Sequence, residues 1–182
     1  HIKEVGYELY QTMLEEAVAK LRTGEETLEA EGTWSPQINV GTSVLIPEAY
    51  VQDLQVRLGL YRRLADIHDQ QALDGFGAEL HDRFGRLPDE VNHLLDVVSI
   101  KILCRAANVA SIDAGPKGAT IAFRADTFAN PAKLVEWING QGTLAKLRPA
   151  DMKLVIMRKW DTPEERLRGT RQIMQTLVKL AA

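Results

Sequence analysis

The sequence predicts an α+β fold, with a helical N-terminal portion packed with a smaller C-terminal portion of helices on an antiparallel sheet. Two observations support this prediction. Apolar residues recur three and four positions apart through most of residues 1–107, which is the spacing of amphipathic helices. After residue 108, short stretches with strand character alternate with helical ones and are separated by turns that contain Gly or Pro. We therefore place the boundary between the two portions near residue 108.

The first predicted elements are a helix, a loop and a strand. The helix covers about residues 5–22 and ends at Gly24, a residue favoured just past a helix end. The acidic stretch 25–32 has no periodicity and is predicted to be a loop. Residues 37–44 alternate roughly in polarity and precede Pro47, so we predict one short strand there.

Three more helices are predicted in the first portion. One follows Pro47 and carries an apolar stripe over residues 50–65. The next runs over residues 70–84 and stops at Gly85. The fourth begins after Pro88, because proline is favoured at the first helical position, and continues to the end of the portion.

The second portion is predicted to hold two strand pairs and two helices. The first strand pair covers residues 109–113 and 119–124. A short helix follows over residues 130–137, and the second strand pair covers residues 144–148 and 153–157. The last helix starts at Thr162, with Pro163 at its first position and Glu165 three residues after the Thr. That combination is a capping box and predicts a firm helix start.

The two portions, 1–107 and 108–182, are interpreted as one domain excised from a larger protein. The chain begins with His1 rather than Met, which we interpret as a remnant of an expression tag, whereas its end is expected to be the parent's C-terminus. The first portion carries 10 Lys+Arg against 18 Asp+Glu and the second carries 12 against 7. The acidic portion and the basic portion are therefore expected to pair with different surfaces, or with each other.

The single cysteine, Cys104, cannot form an internal disulfide and lies in an apolar helical stretch. We interpret it as a core residue of a protein from a reducing, cytoplasmic compartment. No apolar run approaches the roughly 20 residues that a membrane span needs, so no membrane association is expected.

No motif in the sequence indicates catalysis. The glycine-containing turn 115–118 lacks the spacing of a phosphate-binding loop. No two of the four histidines are four residues apart, so they do not suggest a metal site; they are His1, His68, His81 and His93. We therefore expect a fragment that is not an enzyme and that binds neither a cofactor nor a metal.

One helix, over residues 70–84, carries a charged face that invites interpretation. At about 100° per residue, its apolar residues fall in one sector and Gly75, Glu79 and Asp82 on the opposite side. This face is either a solvated surface with weak internal pairs or a docking surface on which partner arginines clamp carboxylates. From the residues alone, the solvated surface is favoured.

A second candidate surface is basic and lies near the C-terminus. Trp160 lies among its cations in the sequence. These cations are Lys146, Arg148, Lys153, Arg158, Lys159, Arg166, Arg168 and Arg171. Such residues could contact nucleic-acid phosphates. Glu164 and Glu165 lie among them and the sequence pI is about 5.8. A solvated basic face, or one that pairs with the acidic N-terminal portion, is therefore favoured, and direct nucleic-acid contact is the alternative function.

Five stretches carry a family resemblance: Gly6–Tyr10, Leu14–Val18, Leu45–Val51, Arg57–Ala65 and, most specific, Glu79–Pro88. They resemble the C-terminal domain of bacterial transcription-repair coupling factors. The resemblance extends from about residue 4 to the last helix, and it is specific up to about residue 105 and looser beyond. The loop 23–36 departs from the family, so nothing residue-specific is carried over there.

The resemblance implies a regulatory role. In this family the full protein is an ATP-driven DNA translocase that displaces stalled RNA polymerase and recruits nucleotide-excision repair, and its motor motifs lie upstream of the C-terminal domain. That domain docks on the parent's own UvrB-like N-terminal module and covers the surface that recruits UvrA. The docking surface expected here comprises Gly75, Glu79, Asp82, Arg83 and Arg86, with the two carboxylates meeting partner arginines. The resemblance thus favours docking over the solvated surface.

Overall fold

The computed structural model of the chain describes Leu14, Val18 and residues 34–182. Leu14 and Val18 are helical, and the rest of the helix predicted over residues 5–22 lies outside the described residues, as does the predicted acidic loop 25–32. The described part contains α-helices and one five-stranded sheet, so the predicted α+β class is confirmed. Within this part, no helix has both the length and the apolar composition that crossing a membrane requires.

The described chain divides into two compact units. The first contains residues 43–98, and the second contains residues 35–42 together with 99–182. Helix α3 (Asp89–Ala107) begins in the first unit and ends in the second. The boundary predicted near residue 108 falls at the end of this helix.

The first unit is built from α1 (Leu54–Ala65), α2 (Gln70–Phe84) and the start of α3. Two aspartates begin the first two helices: the Asp53 carboxylate accepts hydrogen bonds from the N–H groups of Gln55 and Val56, and Asp69 caps α2 in the same way. The core comprises Val51, Leu58, Tyr61, Leu64, Leu73, Phe76, Leu80, Val91 and Leu94, each at most 4% exposed.

The segment before α1 is fixed to the helices by two tyrosines. The Tyr61 hydroxyl oxygen accepts the N–H of Ile46 at 2.6 Å in a buried position. The Tyr50 hydroxyl lies 2.7 Å from the carbonyl oxygen of Gly85, to which it donates, at the end of α2. The C-terminal end of α2 is therefore held in place from outside the helix.

The second unit contains the sheet, with strand order β1-β2-β3-β5-β4. The strands are β1 (Gln37–Asn39), β2 (Val109–Gly115), β3 (Gly118–Phe123), β4 (Ala145–Arg148) and β5 (Lys153–Met157). The pairs among β2, β3, β4 and β5 are antiparallel, as predicted, whereas β1 is parallel to β2. A parallel pair needs a long crossover, and the three helices between β1 and β2 supply it. The strand predicted over residues 37–44 is shorter because the chain turns at Gly41, where φ is 62°.

Two helices belong to the second unit: α4 (Pro131–Gly140) and α5 (Pro163–Ala181). Helix α5 packs against α4 and β2. It begins as the capping-box pattern predicts, because the Thr162 hydroxyl accepts the N–H of Glu165 at 3.1 Å. The Glu165 carboxylate in turn accepts the N–H of Asp161 at 3.0 Å.

Candidate docking surface

Helix α2 has one buried and one open side. Leu73, Phe76 and Leu80 are at most 3% exposed, whereas Gly75 and Asp82 are exposed. Around the 100° steps of the helix, these two groups lie on opposite sides. The open side therefore presents Gly75 and Asp82 away from the core of its unit.

The Glu79 carboxylate is not free, because two arginines bind it. Arg63, on α1, donates from Nη1 to Oε2 at 2.6 Å and from Nη2 to Oε1 at 2.8 Å. Arg83, one turn further along α2, donates to the same Oε2 at 3.0 Å. The two hydrogen bonds from Arg63, and then the single one from Arg83, lower the pKa of Glu79 to about 2. The carboxylate is thus charged at neutral pH and shared between two guanidinium groups.

Aromatic rings support both guanidinium groups. The Cζ atom of Arg63 lies 5.0 Å from the centroid of the Phe76 ring, and that of Arg83 lies 4.9 Å from the centroid of Phe84. At these distances a guanidinium is attracted to the ring face. The Phe84 ring packs in turn against Tyr50, with centroids 5.8 Å apart. The two arginines are therefore oriented by packing as well as by charge.

Asp82 differs from Glu79 in its surroundings. It is exposed and forms no ion pair with any residue that the structure describes. A Cβ added at Gly75 would meet nothing within 4 Å, so the helix surface beside Asp82 is low and open. Arg86, just beyond the helix, is also exposed. Asp82 is accordingly the carboxylate of this surface that no described side chain binds in an ion pair.

Arg63 is a residue of this surface that the sequence pattern does not indicate. It is sixteen residues before Glu79 in the chain and belongs to another helix, so no spacing rule connects the two. The sequence does place two adjacent cations, Arg62 and Arg63, at the end of α1, the helix that precedes α2 in the chain. This indicates that a cation from α1 is available to a carboxylate of α2. Which of the two reaches Glu79 depends on how α1 packs against α2.

The structure shows that the basic residues near the C-terminus are partly engaged. Arg148 binds the Asp151 carboxylate with contacts of 2.6–3.1 Å and lowers its pKa to about 2. Arg158 donates to the carbonyl oxygens of Leu144 and Met157. These two guanidinium groups thus have hydrogen-bond partners within the second unit.

Arg166, like Arg158, is hydrogen-bonded to backbone carbonyl oxygens. It donates to the backbone carbonyl oxygens of Val40, Trp160 and Asp161, at 3.1–3.3 Å. Trp160 itself is only 7% exposed, so its indole is not available for stacking on a base. The basic surface therefore offers fewer free cations than the sequence suggests, and no accessible aromatic partner at Trp160.

The described residues contain no cluster of three or more side chains able to hold a metal ion. Cys104 is buried, and this burial raises its thiol pKa. A thiol in that state is a poor nucleophile.

The α+β fold of the described chain, with its helix α2 and five-stranded sheet, resembles that of a solved domain. A solved crystal structure of the C-terminal domain of a transcription-repair coupling factor superposes with a TM-score of 0.65 at 20% identity, over 81% of this chain and 94% of that one. At that identity the likeness shows the fold alone. The chain belongs to the TRCF domain family, whose model matches residues 40–134. The resemblance stated from the sequence is thus confirmed.

Two relatives illustrate the range of similarity. The transcription-repair-coupling factor of Rickettsia bellii is 43% identical over 159 residues, which are 87% of this chain and 14% of the relative. That of Escherichia coli is 28% identical over 177 residues, which are 97% of this chain and 15% of the relative. The chain therefore spans about a seventh of the length of these relatives. The five residues of the candidate docking surface, between positions 75 and 86, lie inside the region matched by the family model.

Proposed function

We propose that this chain is an autoinhibitory protein-interaction domain of a transcription-coupled DNA repair translocase. It docks on the UvrB-like N-terminal module of its own parent protein and masks the surface that recruits UvrA. The parent, rather than this chain, contacts RNA polymerase and carries the ATP-dependent motor. Membership of the TRCF domain family supports the proposal, because the relatives are named transcription-repair-coupling factors.

The observation that carries the docking role is the open side of α2. Asp82 offers an exposed carboxylate, and the low surface at Gly75 lets a partner approach the helix closely. An arginine is the natural partner of Asp82, because its planar guanidinium can bind both carboxylate oxygens at once. Glu79, Arg83 and Arg86 extend the charged surface around this contact.

The alternative function, nucleic-acid binding through the basic residues near the C-terminus, receives less support. Arg148, Arg158 and Arg166 are engaged within the unit, and Trp160 is buried. Phosphate contacts need cations that are free to exchange their counterions. The α2 surface is therefore the stronger basis for a function.

The proposal is tested in the intact parent protein by replacing both docking carboxylates, Glu79→Ala together with Asp82→Ala, and measuring its affinity for UvrA. Loss of the clamp uncovers the recruiting surface, so UvrA binding should tighten. Asp113→Ala is a matched control, since it removes an exposed acid from β2, in the other unit. An unchanged affinity for UvrA, with the double variant properly folded, would contradict the proposal.

A further inference from the structure

We propose that Arg63 is an internal competitor of the partner's arginine, so that docking at Glu79 requires Arg63 to release it. The inference rests on the proposed function, in which Glu79 and Asp82 meet partner arginines, and adds how that contact is controlled. Its basis is that Glu79 is already occupied in the undocked chain. Asp82, on the same surface, is open.

The geometry at Glu79 leaves no room for a second guanidinium to bind the carboxylate bidentately. The Arg63 fork uses both carboxylate oxygens, at 2.6 and 2.8 Å, and Arg83 adds a third donor to Oε2. A partner guanidinium that binds bidentately needs the same two oxygens in the same plane. It can therefore reach Glu79 in this manner only after Arg63 has left.

Charge acts in the same direction as geometry. Two guanidinium groups around one carboxylate leave a local excess of one positive charge, which opposes the approach of a further arginine. Without Arg63, Glu79 and Arg83 form a neutral pair with one oxygen unoccupied. Removal of Arg63 therefore both opens the site and removes a repulsion.

The exchange is feasible because Arg63 lies at the surface. Its side chain is 50% exposed, and an exposed ion pair of this kind contributes little to stability. The ring of Phe76, 5.0 Å from the guanidinium carbon, can continue to support the displaced group. Release of Arg63 thus leaves no charge buried without a partner. Docking then begins at the open carboxylate of Asp82 and is completed by exchange at Glu79.

The adjacent Arg62 supplies a matched control. It lies on the same helix and is exposed, and it forms no ion pair with any described residue. Arg62→Gln therefore removes the same charge as Arg63→Gln without freeing Glu79. The difference between the two variants isolates the competition from the general change in charge.

The experiment is a calorimetric titration of this chain with the parent's N-terminal module, for wild type, Arg63→Gln and Arg62→Gln. Arg63→Gln is expected to bind about two- to fivefold more tightly than Arg62→Gln, which corresponds to the small stability of an exposed pair. Thermal unfolding confirms that each variant is folded.

The outcomes separate this inference from the function on which it rests. If wild type binds and Arg63→Gln binds no more tightly than Arg62→Gln, the competition is refuted and the docking role stands. Weaker binding by Arg63→Gln also refutes it, and means that Arg63 itself contacts an acid of the partner. If no variant binds the module, the proposed function fails, and this inference fails with it.

Discussion

The guanidinium of Arg63, on α1, and the carboxylate of Glu79, on α2, form two parallel hydrogen bonds that join neighbouring helices of the first unit. Both side chains are partly exposed, at 50% and 34%, so solvent screens the pair. The pair orients Glu79 and fixes its charge, and its contribution to the free energy of unfolding is at most about 1 kcal/mol. The pair therefore determines the charge and orientation of Glu79 at the surface more than it stabilises the fold.

The first prediction concerns the titration of Glu79. Its pKa in the folded chain is about 2, below the ordinary value of 4.5, because Arg63 and Arg83 bind the charged form. A depressed pKa means that the stabilisation is present above about pH 4.5 and is lost as the pH falls toward 2. Carboxyl-carbon NMR should show Glu79 titrating below its ordinary value, and nearer that value in Arg63→Gln. A Glu79 that titrates at 4.5 in both proteins would contradict the ion pair.

The second prediction contrasts two helical glycines. A Cβ at Gly169 would lie 2.3–2.5 Å from atoms of the Trp160 ring, whereas a Cβ at Gly75 would meet nothing within 4 Å. Gly169→Ala should lower the free energy of unfolding by about 1–3 kcal/mol, since the packed indole must move. Gly75→Ala should raise it by up to about 1 kcal/mol, since alanine favours helix. Urea denaturation measures both free energies of unfolding. Equal effects at the two positions would show that Gly169 does not pack closely against the Trp160 ring.

The third prediction concerns a buried hydroxyl. Thr170, on α5, is 1% exposed, and its Oγ1 has no hydrogen-bond partner among the described residues. Thr170→Val replaces the hydroxyl by a methyl of similar shape and should raise the free energy of unfolding by about 1 kcal/mol. In the control Thr176→Val, the lost hydroxyl donates to the Gln172 carbonyl, so no gain is expected. Destabilisation by Thr170→Val would mean that the hydroxyl has an essential partner.

The fourth prediction separates the two proposed functions. Because Arg148 is paired with Asp151, Trp160 is buried and the chain is acidic overall, with a pI of about 5.8, this chain should not bind duplex DNA at micromolar concentrations in physiological salt. Fluorescence anisotropy across a salt series measures this directly. Micromolar binding that falls steeply with rising salt would instead favour the nucleic-acid alternative.

Much of the fold could be predicted because its signals are local. Helix α2 covers residues 70–84 as predicted, since Asp69 caps its start and Gly85, with φ at 89°, ends it. The start of α5 follows likewise from the capping pattern at Thr162. The capping hydrogen bonds and the positive φ of Gly85 involve near neighbours in the chain, so the sequence itself indicates these helix ends.

Long-range contacts could not be predicted in the same way. The parallel pairing of β1 with β2 joins segments separated by three helices, and nothing in residues 37–39 specifies that partner. The binding of Arg63 to Glu79 depends likewise on the packing of α1 against α2. The sequence therefore indicates the two carboxylates of the candidate surface but not the arginine that occupies one of them.

The central claim, that the α2 surface docks on the parent's N-terminal module, is tested most directly by charge reversal at the open carboxylate. Asp82→Lys leaves the buried side of α2 untouched and presents a positive charge to the expected partner arginine. Titration of the N-terminal module into wild type and Asp82→Lys should show binding by the wild type and at least about a tenfold loss in the variant, since like charges at an interface are strongly unfavourable. Equal affinity of the two folded proteins for the module would contradict the account.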